Sequence, residues 1–325
     1  MEARLIRSSS ESITAFSVKG RSHIRRLASF ATLAALFVAG CESSGRADND
    51  ALTSIDSLTA PYGAEECASC EQWNLPHDPF QIFGNTYYVG TDGLASILVT
   101  SNAGHILIDG GLPDSAPVIE ANIRALGFDP ADVEIILNSH AHFDHAGGLA
   151  ALQRATGAGV IASPPSAVEI RNGDSRPDDP QYGVLISYPA VDDVRELAFG
   201  EPVTLDDLSL TPHSTPGHTA GGTTWTWRVC EESVCMNVVY ADSQTPISAD
   251  GYRFTDRTDL DSFERGYALL ETLPCDILIT PHPSASSFWE RRGSPDGLVD
   301  ADACQRYAAS ARELLARRLE AERAQ

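Results

Sequence analysis

Lysine is nearly missing from this sequence: Lys19 is the only one in 325 residues. It lies before the expected export cleavage site, within the segment expected to be removed. Any cation offered to an anionic ligand must therefore come from arginine, a metal or a helix N-terminus. Positive charge is short as a class, with 23 Lys and Arg against 45 Asp and Glu and a net charge of −22. Phosphate backbones need clustered cations, so no nucleic-acid partner is expected, and the acid excess reads as a solvated surface. No apolar run reaches the roughly 20 residues that crossing a bilayer takes. Internal repeats are absent, and no second CxxC follows that of Cys67 and Cys70. Without a partner motif or a surrounding βαβ pattern, that CxxC reads as a structural disulfide rather than a redox or zinc motif.

What is present belongs to a globular chain. Apolar residues make up 42% and charged residues 21%, which fits neither a disordered nor a collagen-like composition, and the length can bury a large core. Near the N-terminus, Arg21, Arg25 and Arg26 precede a short apolar stretch at 27–40 that ends in Val38-Ala39-Gly40-Cys41. This has the form of a bacterial export signal. Its end resembles a lipoprotein box with Cys41 lipidated, a reading preferred here over an ordinary cleaved signal with an incidental cysteine. The expected organisation is a signal peptide at 1–40, a flexible tether at 41–65 rich in Ser, Asp, Ala and Thr, and one globular domain at 66–325. The location implied is the periplasm, with a possible lipid anchor. Export permits disulfides, and the six cysteines after Cys41 suit pairing, with the connectivity open.

Within the domain, strands are expected at 87–89, 96–100, 105–109, 133–137, 159–162, 208–211, 223–229, 237–240 and 276–280, from short β-rich runs that close on turn residues. Helices are expected at 115–126, 147–156, 260–272 and 301–323 from their 3.6-residue spacing. Strands and helices alternate in both halves, which predicts an α/β sandwich with its functional loops at strand ends.

The chemistry concentrates in Ser139-His140-Ala141-His142-Phe143-Asp144-His145. His140 and His142, two apart in an extended turn, can point the same way, while Asp144 and His145 continue around it. Imidazole and carboxylate are the ligands zinc takes in catalytic sites. A lone histidine is commonly a packed or surface residue, but three with an aspartate directly after a buried strand are not. His218, after Pro216-Gly217, and His282, between Pro281 and Pro283, are each offered from a sharp turn. They bring the donor count to six, enough for two zinc ions with positions left for water. His213 is expected to support the site or the fold rather than ligate, His77 and His105 to lie at the surface, and Trp225 and Trp227 to pack in the core.

His-x-His-x-Asp-His, the downstream Gly217-His218-Thr219 and the later Pro281-His282-Pro283 together resemble the metallo-β-lactamase superfamily, with details that favour subclass B3. The likeness extends over residues 73–90, Ile108-Asp109-Gly110-Gly111, Trp225-Thr226-Trp227 and Tyr240-Ala241-Asp242-Ser243. It implies an αββα sandwich with two Zn2+ per chain at one edge of the sheets. His140, His142 and His218 would hold the first ion, and Asp144, His145 and His282 the second. A zinc-activated hydroxide would open the amide of a small β-lactam substrate (penicillin, cephalosporin or carbapenem) and give antibiotic resistance, with Asp144 as the catalytic residue that orients the nucleophile. Ser243 stands where another subclass has a cysteine ligand, which fits B3. Ser243 and Thr245 are the candidates for the substrate carboxylate. Tyr252 is equally a candidate for the oxyanion and for loop packing. The resemblance also implies a Cys275–Cys304 disulfide, and a Cys230–Cys235 hairpin pair as in some members. A monomer is expected. One departure is Ala220-Gly221-Gly222, where the family commonly has Pro-Gly-Ser.

Two rivals remain at this level. Another hydrolase of the same fold, a lactonase or a thioesterase, would use related metal chemistry, often with an aspartate near the position of Asp242 bridging both ions. Against the thioesterase, few residues follow His282 and lysines are lacking. A zinc-binding scaffold without catalysis is the other rival, and the complete six-donor set argues against it.

Overall fold

Ile106, Leu107 and Ile108 are consecutive, apolar and fully buried. A strand meets that condition only where both of its faces are covered, because successive side chains point to opposite sides. The structure, a computed structural model, describes residues 55–257 and 260–325 and provides the two covers. One sheet runs in the order β1 (Phe80–Phe83), β2 (Thr86–Tyr88), β3 (Ile97–Ser101), β4 (Gly104–Ile108), β5 (Val133–Leu137), β6 (Gly159–Ala162) and β7 (Val194–Glu196). It is antiparallel from β1 to β4 and parallel from β4 to β7. The second holds β8 (Val203–Leu205), β9 (Leu208–Ser214), β10 (Thr223–Glu231) and β11 (Val234–Tyr240) as an antiparallel meander, with β12 (Ile277–Ile279) parallel to β11.

The helices are α1 (Ile55–Leu58), α2 (Cys70–Trp73), α3 (Ala116–Ala125), α4 (Phe143–Ala146), α5 (Leu149–Thr156), α6 (Pro164–Asn172), α7 (Asp261–Thr272), α8 (Phe288–Arg292) and α9 (Ala303–Arg323). Leu98, Leu107 and Ile136 pack against Ile119, Ile123, Leu149 and Leu152 of α3 and α5. Ile106, Ile108 and Leu137 meet Trp225, Val238 and Ile277 between the sheets. On the outer face of the second sheet, Val239 and Leu278 meet Phe263 and Tyr267 of α7 and Tyr307 and Ala311 of α9. These three apolar layers make the αββα sandwich.

Every strand and helix expected from the sequence lies on an observed element. The edge strands β1, β7 and β8 and the helix α6 were not anticipated. α6 nonetheless carries its signals: Ser163 caps it by accepting from Ser166 N, proline opens it, and Gly173 closes it in the left-handed region at φ 66°, the usual asymmetry of helix ends. The packed chain also begins earlier than the boundary at 66. Leu58 is buried in the core under α5, and Tyr62 donates to Ser187 O and sets its ring edge-on to Phe143 at 5.6 Å, so residues 58–62 are anchored rather than a loose tether. The expected signal at 1–40 and the anchor Cys41 lie outside the described residues.

Cysteines pair as Cys67–Cys70, Cys230–Cys235 across the β10–β11 turn, and Cys275–Cys304, which joins the entry of β12 to α9. No helix among the described residues is long and apolar enough to cross a membrane.

Beyond its apolar contacts and disulfide, α9 is held by a buried carboxylate near its end. Glu322 accepts from Phe254 N at 3.1 Å, Thr255 N at 2.8 Å and Arg318 Nε at 2.6 Å. Burial opposes its ionised form, but these donors outweigh burial and bring its pKa from 4.5 down to about 2. A depressed carboxylate pKa contributes stability above the unfolded value and loses it as pH falls through the folded one. Glu322→Ala is expected to cost about 2 kcal/mol near neutral pH. In denaturant unfolding at a series of pH values, that deficit should shrink as pH drops from about 4.5 toward 2.

Candidate metal centre

β5 delivers the chain to a segment whose backbone is fixed before any ligand side chain begins. Asp109, at the exit of β4, is fully buried in the left-handed region at φ 61°. Its carboxylate accepts from Ser139 N at 2.7 Å, Ser139 Oγ at 2.6 Å, Asn138 Nδ2 at 3.2 Å and Tyr240 Oη at 2.7 Å. Burial pushes the Asp109 pKa up to about 7 although the Ser139 and Tyr240 hydrogen bonds pull the other way. Asn138 also donates to His140 O at 2.8 Å, while Trp225 Nε1 donates to Asn138 O and Thr223 N to Ser139 O. At the other end of the loop, Gly110 N donates to His145 O. Gly148 there passes so close that a Cβ on it would lie 2.2 Å from Gly110 O, so only glycine fits.

From this frame His140 and His142 emerge with α4, whose first turn carries Asp144 and His145. His218 arrives from the β9–β10 loop and His282 from the turn after β12. The structure brings all six together in two groups: His140, His142 and His218, and Asp144, His145 and His282, the donor atoms of each lying within 4.8 Å of one another. In the second group Asp144 Oδ2 is 3.0 Å from His282 Nε2 and 3.4 Å from His145 Nε2. The rings of His140 and His145, 4.4 Å apart, join the groups.

Each histidine of the first group is held from behind. His140 Nδ1 is 2.7 Å from Asp242 Oδ1, His142 Nε2 is 3.1 Å from Asp179 Oδ2, and His218 Nδ1 donates to Thr245 O at 2.8 Å. His282 Nδ1 lies 3.3 Å from Gly93 O, with Trp73 against its ring at 5.0 Å. Burial drives the pKa values of His140, His145 and His218 well below the ordinary range. For His142 burial also works against the cation, but the hydrogen bond and charge of Asp179 outweigh it and raise the pKa. Asp144 is held well below the carboxylate range, since the neighbouring His145 and His282 overcome its burial. Neutral His140, His145 and His218 beside an ionised Asp144 match the protonation states that ligate a divalent ion, whereas His142, whose cation Asp179 favours, would have to give up a proton to do so. Within the site, His140 Nε2 and His145 Nδ1 are buried without a hydrogen-bond partner, a costly state in a protein interior. The unpartnered His140 Nε2 and the nitrogen-and-oxygen donor set both fit zinc.

The remaining expected residues divide. Ser243 is buried beside Asp242, and Thr245 supports His218 with its carbonyl while its hydroxyl sits 3.3 Å from the same Nδ1. Tyr252 sets its ring against Phe254 at 5.1 Å, in the cluster beneath α7 and α9, which favours packing over an oxyanion role. His213 bonds Thr226 on the second sheet. Trp225 and Trp227 are core. His105, expected at the surface, is buried at 5% exposure under Phe128, because β4 is covered on both faces. His77 is half-buried and stacks on Trp289 at 4.3 Å. Asp179 was not anticipated; it lies in an irregular stretch after α6 where no spacing marks it.

A family model described as the metallo-β-lactamase superfamily matches residues 89–226. Among solved structures, the chain is similar to Rm3 metallo-β-lactamase, with 49% identity, a TM-score of 0.77, and coverage of 79% of this chain and 99% of that one. It is also similar to MEM-A1, a subclass B3 metallo-β-lactamase from a soil metagenome library, with 45% identity, a TM-score of 0.75, and coverage of 78% and 99%. Curated relatives match over shorter spans. The N-acyl homoserine lactonase AttM of Agrobacterium fabrum is 36% identical over 81 residues, 18% of this chain and 31% of the relative. A hydroxyacylglutathione hydrolase of Anaeromyxobacter dehalogenans is 34% identical over 130 residues, 40% of each. The chain thus spans well under two thirds of these two curated relatives. With B3 enzymes covered almost end to end, the chain belongs to the metallo-β-lactamase superfamily.

Asp109→Ala strips the acceptor from four buried donors at once. The variant is expected to lose about 3 kcal/mol or more, read by chemical denaturation of the metal-free protein.

Proposed function

We propose that this chain is a zinc-dependent hydrolase that opens the amide of β-lactam antibiotics and so confers resistance. The observation that carries this reading is the pair of three-residue donor groups, six side chains from three separate stretches meeting at one edge of the sandwich. The near-complete coverage of β-lactamase structures supports the substrate class, since fold alone would not.

In this reading His140, His142 and His218 hold one zinc, and Asp144, His145 and His282 a second. Bound zinc supplies Lewis acidity, lowering the pKa of water to about 7 and polarising a carbonyl oxygen. Asp144 keeps its carboxylate ionised among His145 and His282 and orients the attacking water. Asp242 holds the His140 ring, and Thr245 the His218 ring, in one orientation. Ser243 and the Thr245 hydroxyl are the neutral donors for the substrate carboxylate, a role that falls to hydroxyls where lysine is missing. The enzyme acts as a periplasmic monomer, tethered by lipid at Cys41.

The lactonase and thioesterase relatives favour a second hydrolase reading of the same site. Asp242 weighs against the bridging-aspartate form of that chemistry: its Oδ1 sits at His140 Nδ1, behind the ring.

Purified protein is expected to hydrolyse a chromogenic cephalosporin, to lose that activity to a chelator and to regain it with zinc. Turnover of an acyl-homoserine lactone with none of any lactam would overturn the β-lactam assignment in favour of a lactonase. Inactivity on every ester and amide would leave a zinc-binding scaffold. Mass spectrometry of the mature N-terminus from expressing cells is expected to find a lipid on Cys41, and an unmodified cysteine there would rule out the anchor.

A further inference from the structure

The segment 173–191 grips the histidine loop twice. Tyr188 Oη donates to Ala141 O at 2.7 Å. One residue on, His142 Nε2 meets Asp179 Oδ2 at 3.1 Å, with the two side chains 3% and 1% exposed. Asp179 is itself clamped. Its Oδ1 accepts from Gln181 N at 2.7 Å, its own N–H donates to Arg176 O, and Arg176 N donates to the buried Glu169 carboxylate at 3.2 Å. The carboxylate cannot swing away from His142 without breaking this turn.

An imidazole that donates through Nε2 keeps its proton there and leaves the lone pair on Nδ1. The other two rings are gripped at the opposite nitrogen: Asp242 and Thr245 both engage Nδ1, of His140 and His218. The three rings therefore do not share one tautomer, and His142 alone of the three is gripped by the 173–191 segment.

We infer that Asp179 is a positioning residue for the proposed reaction: it fixes the His142 proton on Nε2, turns Nδ1 toward the three-histidine group, and thereby couples zinc affinity to the 173–191 segment. The inference rests on the reading that this group holds zinc. Replacing such a partner of a ligating histidine typically weakens metal binding about 10- to 100-fold.

The test compares the full mature protein with Asp179→Ala and Asp179→Asn by zinc competition against a chromophoric chelator. Asp179→Ala is expected to lose about 10- to 100-fold in affinity, and Asp179→Asn, whose carbonyl can still accept from Nε2, to retain most of it. Two-bond 15N–1H NMR of the zinc-free protein, recorded at a pH high enough that the His142 ring is neutral, should find His142 protonated on Nε2 in wild type and Asp179→Asn, and a mixture of tautomers in Asp179→Ala. Support of the loop alone would not move that signal. Unchanged zinc affinity in Asp179→Ala, or a wild-type His142 protonated on Nδ1, overturns the inference and leaves the zinc reading standing. A wild-type protein that binds no zinc overturns both.

Discussion

The Asp109 carboxylate is where the two sheets and the histidine loop become one object. Its donors come from the exit of β5 and the end of β11, so the first sheet cannot shift against the second without stranding a buried charge or several buried donors. The residue sits in the left-handed region, where a side chain other than glycine costs of order 1 kcal/mol or more, and the four bonds hold it there. Everything downstream inherits this fixed point. Asn138 is oriented by Asp109 and passes the constraint to the His140 carbonyl, and Thr223 N on β10 closes on Ser139 O. Two loops that carry ligand candidates are thus stitched together through backbone atoms, and the side chains need only be aimed.

Aiming them creates an electrostatic problem whose solution matches the sequence's shortage of cations. Histidines whose burial disfavours charge surround a carboxylate that remains ionised, and two ring nitrogens end without partners. Apolar packing would have filled such a space with aliphatic groups. A lysine or arginine among these rings would pair with Asp144 and occupy the lone pairs' side of the cavity. A divalent cation in each three-donor group would meet these lone pairs together.

Much of this was legible in the residue order, and the exceptions have physical reasons. The αββα layers follow from β-branched runs that alternate with helical spacing, and the six donors were readable because four fall in one short turn and two stand in rigid Pro and Gly settings. Three things were hidden. His105 looked like a surface histidine because a single residue does not reveal that its strand is covered on both sides; only the three-dimensional stacking of α3 and α5 does. Residues 58–62 looked like tether because their composition is polar, yet Leu58 and Tyr62 suffice to anchor them. Asp179 was one acid among many in an aperiodic stretch. Its role depends on a partner, His142, that folding brings to it from the far side of β6 and α6.

These supporting contacts also bear on which chemistry the fold performs. The aspartate outside the six donors bears on this, because a carboxylate bridging two ions would add negative charge between them, while one held behind a histidine would leave that space open. Asp242 occupies the second position, 2.7 Å from His140 Nδ1, with its other oxygen buried and unpartnered next to Gly222, where a Cβ would approach it to 2.5 Å. The same Cβ would also lie 2.5 Å from Thr215 O, so this turn accepts glycine as it stands. With Asp242 committed behind the ring, charge at the centre comes from Asp144 alone among the six convergent side chains. In the proposed two-ion reading, less negative charge between the ions would ease the approach of an anionic ligand, in a protein that has almost no lysine to greet it.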